Sequence, residues 1–159
     1  MRAIVISDSH GDTDACDRAI LSVGKPDMII HLGDIARDVD YIEAVYDDIP
    51  VYSVLGNNDF LRSGDHEACI ELDGHKIFIC HGHTLSVHRS YDRIISAAKR
   101  NGCDAALFGH THIAVNEYPE DILLLNPGSV SRPRSGSPSF AVIETDGGSL
   151  DAVIVDWVL

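Results

Sequence analysis

Arg2-Ala3-Ile4-Val5-Ile6-Ser7-Asp8-Ser9-His10-Gly11-Asp12 opens with an unbroken apolar, β-branched run that halts at a polar cluster. Such a run reads as a strand buried on both faces, as in parallel sheets. Asp12 is placed to cap a helix running to about Val23, with Ala15, Ala19 and Ile20 on one side and Gly24-Lys25-Pro26 as the stop. A second short strand, Asp27 to His31, halts at Gly33-Asp34. A helix over Asp38 to Tyr46 follows, and a third strand, Val51 to Leu55, halts at Gly56-Asn57. The order β-α-β-α-β favours a parallel sheet.

The second half of the chain changes character. Ala68 to Leu72 and Lys76 to Cys80 flank Asp73-Gly74, a two-residue hairpin signal. Ser86 to Arg100 is expected to be helical, with Tyr91, Ile94, Ile95 and Ala98 forming one apolar face. Further strands are expected at Asp104 to Phe108, Ile113 to Tyr118, Ile122 to Leu125, Phe140 to Glu144 and Leu150 to Trp157, with a loop from Asn126 to Pro138. No repeat and no linker divides the sequence, so one domain over 1–159 with two packed sheets is the expectation.

Composition sets limits on function. The 159 residues carry 45% hydrophobic residues, enough for a sizeable core. A net charge of −13 opposes stable nucleic-acid binding, which needs a basic patch, so a phosphate-bearing substrate would have to be drawn by a local positive centre. No run approaches the ~18 apolar residues of a membrane span. The opening apolar run meets Ser7-Asp8 too soon for a secretion signal, and a cytoplasmic address is the expectation. Cys16, Cys69, Cys80 and Cys103 form no closely spaced pair and read as small buried hydrophobes.

The polar residues are informative by position. Asp8 and His10 follow the first strand, Asp34 the second and Asn57 the third; His81 follows the hairpin, and His110 and His112 follow the strand beginning near Asp104. In open α/β sheets, sites form outside the carboxyl ends of strands. Seven groups of carboxylate, carboxamide and imidazole type suit Mn²⁺, Fe²⁺, Zn²⁺ or Ni²⁺. They exceed the needs of one ion and suit two ions sharing a carboxylate. Any one of these motifs alone is weak, because an isolated strand-end histidine is more often a core or capping residue; the ordered set points to metal.

Asp8-Ser9-His10, Gly33-Asp34, Gly56-Asn57-Asn58-Asp59, His81-Gly82-His83 and Gly109-His110-Thr111-His112 resemble the five blocks of the calcineurin-like metallophosphoesterase superfamily. The small size and the Asn126-Pro127-Gly128-Ser129 loop are similar to its compact YfcE-type phosphodiesterase branch. The resemblance implies a four-layer α/β/β/α sandwich of two mixed sheets flanked by helices. It implies two divalent metal ions, manganese first and Ni, Fe, Zn or Mg as alternatives. One ion would take Asp8, His10 and His112, the other Asn57, His81 and His110, with Asp34 bridging. The activity implied is hydrolysis of a small phosphodiester by a metal-bridging hydroxide, with a homo-oligomer as a further family expectation.

One position departs from the family pattern. The residue after the ligand asparagine is histidine in much of the superfamily and is Asn58 here. An amide can orient phosphate but has no proton to give, which favours activated leaving groups. His83 is then the substitute acid or an outer partner, and Asp59 a buttress for Asn57 or His10. His31, His66, His75 and His88 have no motif context and are expected on the surface or at strand ends. Arg132 and Arg134 read as exposed loop charges that could reach substrate. Competing readings are a protein-binding scaffold of the same architecture, as in a retromer subunit, and a phosphomonoesterase or nucleotidase.

Overall fold

A computed structural model describes residues 1–157. In chain order its elements are β1 (Arg2–Ile6), α1 (Thr13–Ser22), β2 (Met28–His31), α2 (Ala36–Val45), β3 (Val51–Ser53), β4 (Glu67–Leu72), β5 (His75–Cys80), α3 (Asp92–Arg100), β6 (Ala105–Leu107), β7 (Val115–Glu117), β8 (Leu123–Asn126), β9 (Ser139–Thr145) and β10 (Leu150–Asp156). A short 3₁₀ turn, Pro119–Asp121, links β7 to β8.

The strands form two mixed sheets, ordered β10-β9-β1-β2-β3 and β4-β5-β6-β8-β7. Each has three parallel strands, β1-β2-β3 running to one edge of the first and β5-β6-β8 at the centre of the second. Alternation along β1 shows why its apolar run is unbroken. Ala3 and Val5 enter the core between the sheets with Leu32, Ile79, Leu107 and Leu125. Ile4 and Ile6 face α1 and α2, packing with Ala15, Ala19, Ile20 and Ile42. The outer face of the second sheet presents Phe78, Cys80, Ala106 and Phe108 to Ile94, Ala97 and Ala98 of α3. The layers are therefore helices, sheet, sheet, helix, as the resemblance implied.

Local signals hold where short-range chemistry decides. Asp12 Oδ1 accepts from the Ala15 N–H at 2.9 Å, capping α1. Asp73 and Gly74 both have positive φ, 52° and 86°, and Leu72 pairs with His75 across a two-residue primed turn.

Three expectations are corrected. The helix expected from Ser86 begins only at Asp92, because residues 82–90 form turns in which the Leu85 and Val87 N–H groups donate to the Gly82 carbonyl and Ser86 sits at φ 57°. Those turns seat Val87 beneath Gly82, where an added Cβ would lie 2.7 Å from a Val87 methyl. The strand expected from Ile113 shortens to Val115–Glu117. Cys16, Cys80 and Cys103 are buried, but Cys69 is exposed on edge strand β4.

Candidate metal centre

The carboxyl ends of β1, β2, β3, β5 and β6 converge, and the seven expected donors stand on the turns just beyond them. Asp8, His10, Asp34, His110 and His112 all hold left-handed backbone, at φ 54°, 48°, 50°, 67° and 57°. Non-glycine residues keep such conformations only where their surroundings over-determine them, and they concentrate at functional sites.

Those surroundings leave no slack. A Cβ at Gly56 would lie 1.9 Å from Asp34 Oδ1, and one at Gly109 would lie 2.0 Å from Ser7 Oγ and 2.8 Å from Asp8 Oδ2. Glycine is required at both by close approach.

Asp8 is fully buried. Its Oδ2 accepts from Ser7 Oγ at 2.6 Å and from the His110 N–H at 3.0 Å. Its Oδ1 has no hydrogen-bond partner. Around that oxygen stand His112 Nε2 at 3.2 Å and the Nε2 atoms of His10 and His81, each at 3.9 Å.

The tautomers of two of these imidazoles follow from their other bonds. His112 Nδ1 is 2.6 Å from the Arg132 carbonyl and His81 Nδ1 is 2.7 Å from that of Leu32. A carbonyl only accepts, so both Nδ1 atoms carry protons, and in the neutral rings both Nε2 atoms turn lone pairs inward. His10 Nε2 lies 3.2 Å from His112 Nε2.

Lone pairs and an unpartnered carboxylate oxygen thus face one another in a buried space. A cation among them converts that mutual repulsion into attraction, so the residues fit a metal. The donor atoms of Asp8, His10 and His112 lie within 4.8 Å of one another, as do those of Asp8, Asp34 and His81. Asn57 Oδ1 is 3.1 Å from His81 Nε2, and the His110 ring centroid is 5.0 Å from that of His81.

Electrostatics separate the groups. Burial alone would raise the Asp8 carboxyl, but the close approach of the His112 and His81 imidazoles holds it below its ordinary value. His112 is raised, chiefly by its contact with Asp8. Burial lowers His10, and burial with His81 and His88 nearby pushes His110 down to about 4. Burial also lowers His83.

Asn58 holds Asp34 twice: its backbone N–H donates to Oδ1 at 3.0 Å and its amide to Oδ2 at 2.5 Å. His83 places its ring 5.4 Å from His81 and 6.1 Å from His110, with a buried, unpartnered Nδ1. Asp59 takes the N–H groups of Gly56, Ala36 and Asp34 at 2.8, 2.7 and 3.2 Å. It therefore braces the Asp34 turn together with the Gly56 turn that carries Asn57, and makes no bond to His10. Arg132 and Arg134 are exposed, near enough to push down His10 and His112 respectively.

Sequence reasoning missed Ser129 and Ser131. Ser129 Oγ donates to the Asp8 carbonyl at 2.8 Å, and Ser131 Oγ to that of Ser9 at 2.8 Å. Ser129 stands in the loop that prompted the branch resemblance, yet nothing in its spacing announces a bond across the fold. His31 and Asp38 are also buried behind the site. His88 and His66 are exposed but approach site histidines, with ring centroids 4.4 Å from His110 and 5.3 Å from His83.

Two stacked sheets with oxygen and imidazole donors meeting at one edge define a metallophosphoesterase-type chain. The family comparison gives its place: residues 1–148 match the Calcineurin-like phosphoesterase superfamily domain, and the chain belongs to that family. It is 31% identical over 146 residues to the probable metallophosphoesterase YsnB of Bacillus subtilis, covering 90% of this chain and 83% of that one. It is 34% identical to the phosphodiesterase YfcE of Escherichia coli K12 over 76 residues, 47% of this chain and 38% of that one.

Among solved structures, a predicted phosphoesterase from Streptococcus pneumoniae TIGR4 aligns with a TM-score of 0.83 at 29% identity, covering 98% of this chain and 88% of that one. Vps29 of Entamoeba histolytica complexed with Zn²⁺ aligns at 0.76 and 21% identity over 98% and 99% of the two chains, a likeness of fold alone. Among the described residues, no helix is long and apolar enough to cross a membrane.

Proposed function

We propose that the chain acts as one unit, a two-metal phosphoesterase acting on a small phosphodiester. The observation that carries this reading is the convergence of the His112, His10 and His81 Nε2 atoms on the buried, unpartnered Asp8 Oδ1, a donor set that fits a cation.

Asp8, His10 and His112 would hold one divalent ion; Asn57, His81 and His110 would hold the second, with Asp34 shared. Manganese is the first choice, with Ni, Fe, Zn and Mg as alternatives. Such a pair supplies an activated hydroxide and neutralises charge on the phosphoryl oxygens.

The chain's own residues do the rest. Asn58 fixes both oxygens of Asp34 and has no proton to give a leaving group. His83, facing His81 and His110, is the remaining proton donor. Its lowered pKa leaves it mostly neutral at pH 7, which suits leaving groups that depart without help. The kinship with YfcE, named a phosphodiesterase, supports a diester over a monoester. A scaffold role is disfavoured because every donor position keeps a side chain competent to bind metal.

The test is hydrolysis of p-nitrophenyl phosphate, bis-p-nitrophenyl phosphate and a cyclic dinucleotide with Mn²⁺, Ni²⁺, Zn²⁺ or Mg²⁺. The aryl diester with Mn²⁺ should be fastest. Inactivity on all three with every metal would overturn the assignment, and a preference for the monoester would replace it with a phosphatase.

A further inference from the structure

Behind the proposed metal site runs a buried chain of hydrogen bonds with a fixed direction. The Gly33 N–H donates to His31 Nδ1 at 3.2 Å, so that nitrogen is the acceptor and Nε2 carries the proton. His31 Nε2 lies 3.0 Å from Ser9 Oγ, which accepts from it and donates its own hydrogen to Asp38 Oδ2 at 2.6 Å. The same carboxylate oxygen takes the Gly11 N–H at 2.8 Å. Ser9 and His31 are fully buried and Asp38 is 2% exposed. The serine cannot be a nucleophile: it is sealed from solvent and its hydrogen points at a carboxylate, not at the imidazole.

The chain ties together three segments that must hold register. Ser9 stands between Asp8 and His10, both in left-handed backbone. His31 ends β2, immediately before the Gly33-Asp34 turn, and Asp38 lies in the first turn of α2. Backbone bonds complete the frame, from the Asp8 N–H to the Gly33 carbonyl at 3.1 Å and from the His10 N–H to the Asp34 carbonyl at 3.2 Å.

We propose that His31, Ser9 and Asp38 are positioning residues that hold Asp8, His10 and Asp34 in their metal-receiving arrangement before any ion arrives. This rests on the two-metal reading of the site. Neutral His31 is required, since only its Nε2–H tautomer can accept from Gly33 and donate to Ser9 together.

The test is calorimetric Mn²⁺ binding to metal-free wild type, His31→Phe, His31→Gln and Ser9→Ala, with thermal melts to show that each is folded. His31→Phe should weaken Mn²⁺ binding about 10–100-fold, the usual effect of outer partners. His31→Gln keeps a donor near the Nε2 position and should recover much of that loss. Nitrogen NMR should show His31 as the Nε2–H tautomer. Unchanged binding in a folded His31→Phe or Ser9→Ala protein, or an Nδ1–H tautomer, would overturn the proposal while leaving the metal site standing. A wild type that binds no Mn²⁺ would overturn both.

A separate observation lies on the outer face of the second sheet. Cys69 Sγ on β4 is 3.7 Å from Cys103 Sγ, just after α3, and both thiols are free. We infer that this pair is an oxidation site, forming a disulfide on exposure to a low-molecular-weight disulfide such as oxidised glutathione. The exposed Cys69 thiolate attacks one sulfur, releasing one glutathione thiol; the Cys103 thiolate then displaces the second, and the two glutathiones carry off the two protons.

Oxidised glutathione added to the native chain should remove two hydrogens from the intact mass, link the Cys69 and Cys103 peptides, and raise Tm by several degrees. Glutathione retained on Cys69 with Cys103 unlinked, or a bond only between chains, would overturn it. Buried Cys16 and Cys80 should stay reduced in either case.

Discussion

The two sheets meet at one edge but bring different chemistry to it. The first contributes the oxygen donors Asp8, Asp34 and Asn57 with a single imidazole, His10; the second contributes only imidazoles, His81, His110 and His112. The oxygen side is braced from within its own sheet, by Asp59 and Asn58 on the Asp34 turn and by Ser9 between Asp8 and His10. The imidazole side is held largely across the seam. His81 donates to the Leu32 carbonyl that follows β2, and the His110 N–H donates to Asp8. Neither sheet holds the whole of the proposed site, so the proposed function depends on how the shared apolar core sets one sheet against the other.

The sharpest break of that comparison is Asp34→Ala. It removes the proposed shared donor, so hydrolysis of bis-p-nitrophenyl phosphate should fall by more than about 100-fold, beyond the range of outer partners. Activity within tenfold of wild type would show that the sheets act without a shared carboxylate.

Gly109→Ala attacks the seam itself, since its Cβ would strike Ser7 Oγ and Asp8 Oδ2. It should cost about 1–3 kcal/mol in a urea melt, the usual range for overpacking, and should weaken Mn²⁺ binding as well. An unchanged midpoint would mean that the seam is loose. Asp59→Ala loosens the oxygen side alone. It should weaken Mn²⁺ binding roughly 10-fold or more while the imidazole side keeps its bonds to Leu32 and Arg132.

The smallest effect expected is on the pH dependence of the metal-free protein. His112 is raised, so it favours the folded state below its ordinary 6.5, and that contribution is lost as pH rises through its higher folded value. His110 is lowered to about 4, so its contribution is present above 6.5 and is lost as pH falls from 6.5 towards 4. Chelator-treated protein should therefore melt lower on either side of that region. Mn²⁺ affinity should climb above pH 6.5 as the proton leaves His112. A flat affinity profile across that range would remove His112 from the ligand set.

Much of this seam is legible in the sequence because strand-end motifs are local: an apolar run, a glycine and a polar donor fall within a few residues of one another. The layers are legible for the same reason, β1 being apolar at every position because both its faces are covered. Bonds between distant segments are not legible. Ser129 reaches Asp8 across 121 residues, and nothing in its local pattern separates it from any other loop serine. The late start of α3 was hidden because Val87 satisfies a helical apolar spacing while actually packing beneath the Gly82 turn. The left-handed backbone of five site residues is likewise invisible to composition, because aspartate and histidine tolerate that region without demanding it.

The most direct measurement is metal stoichiometry. Metal-free protein titrated with Mn²⁺ in a calorimeter, with elemental analysis of the dialysed product, should bind two ions per chain, and Asp34→Ala should bind fewer. No bound ion in the wild type, or one ion unaffected by Asp34→Ala, would contradict a shared site built across the two sheets.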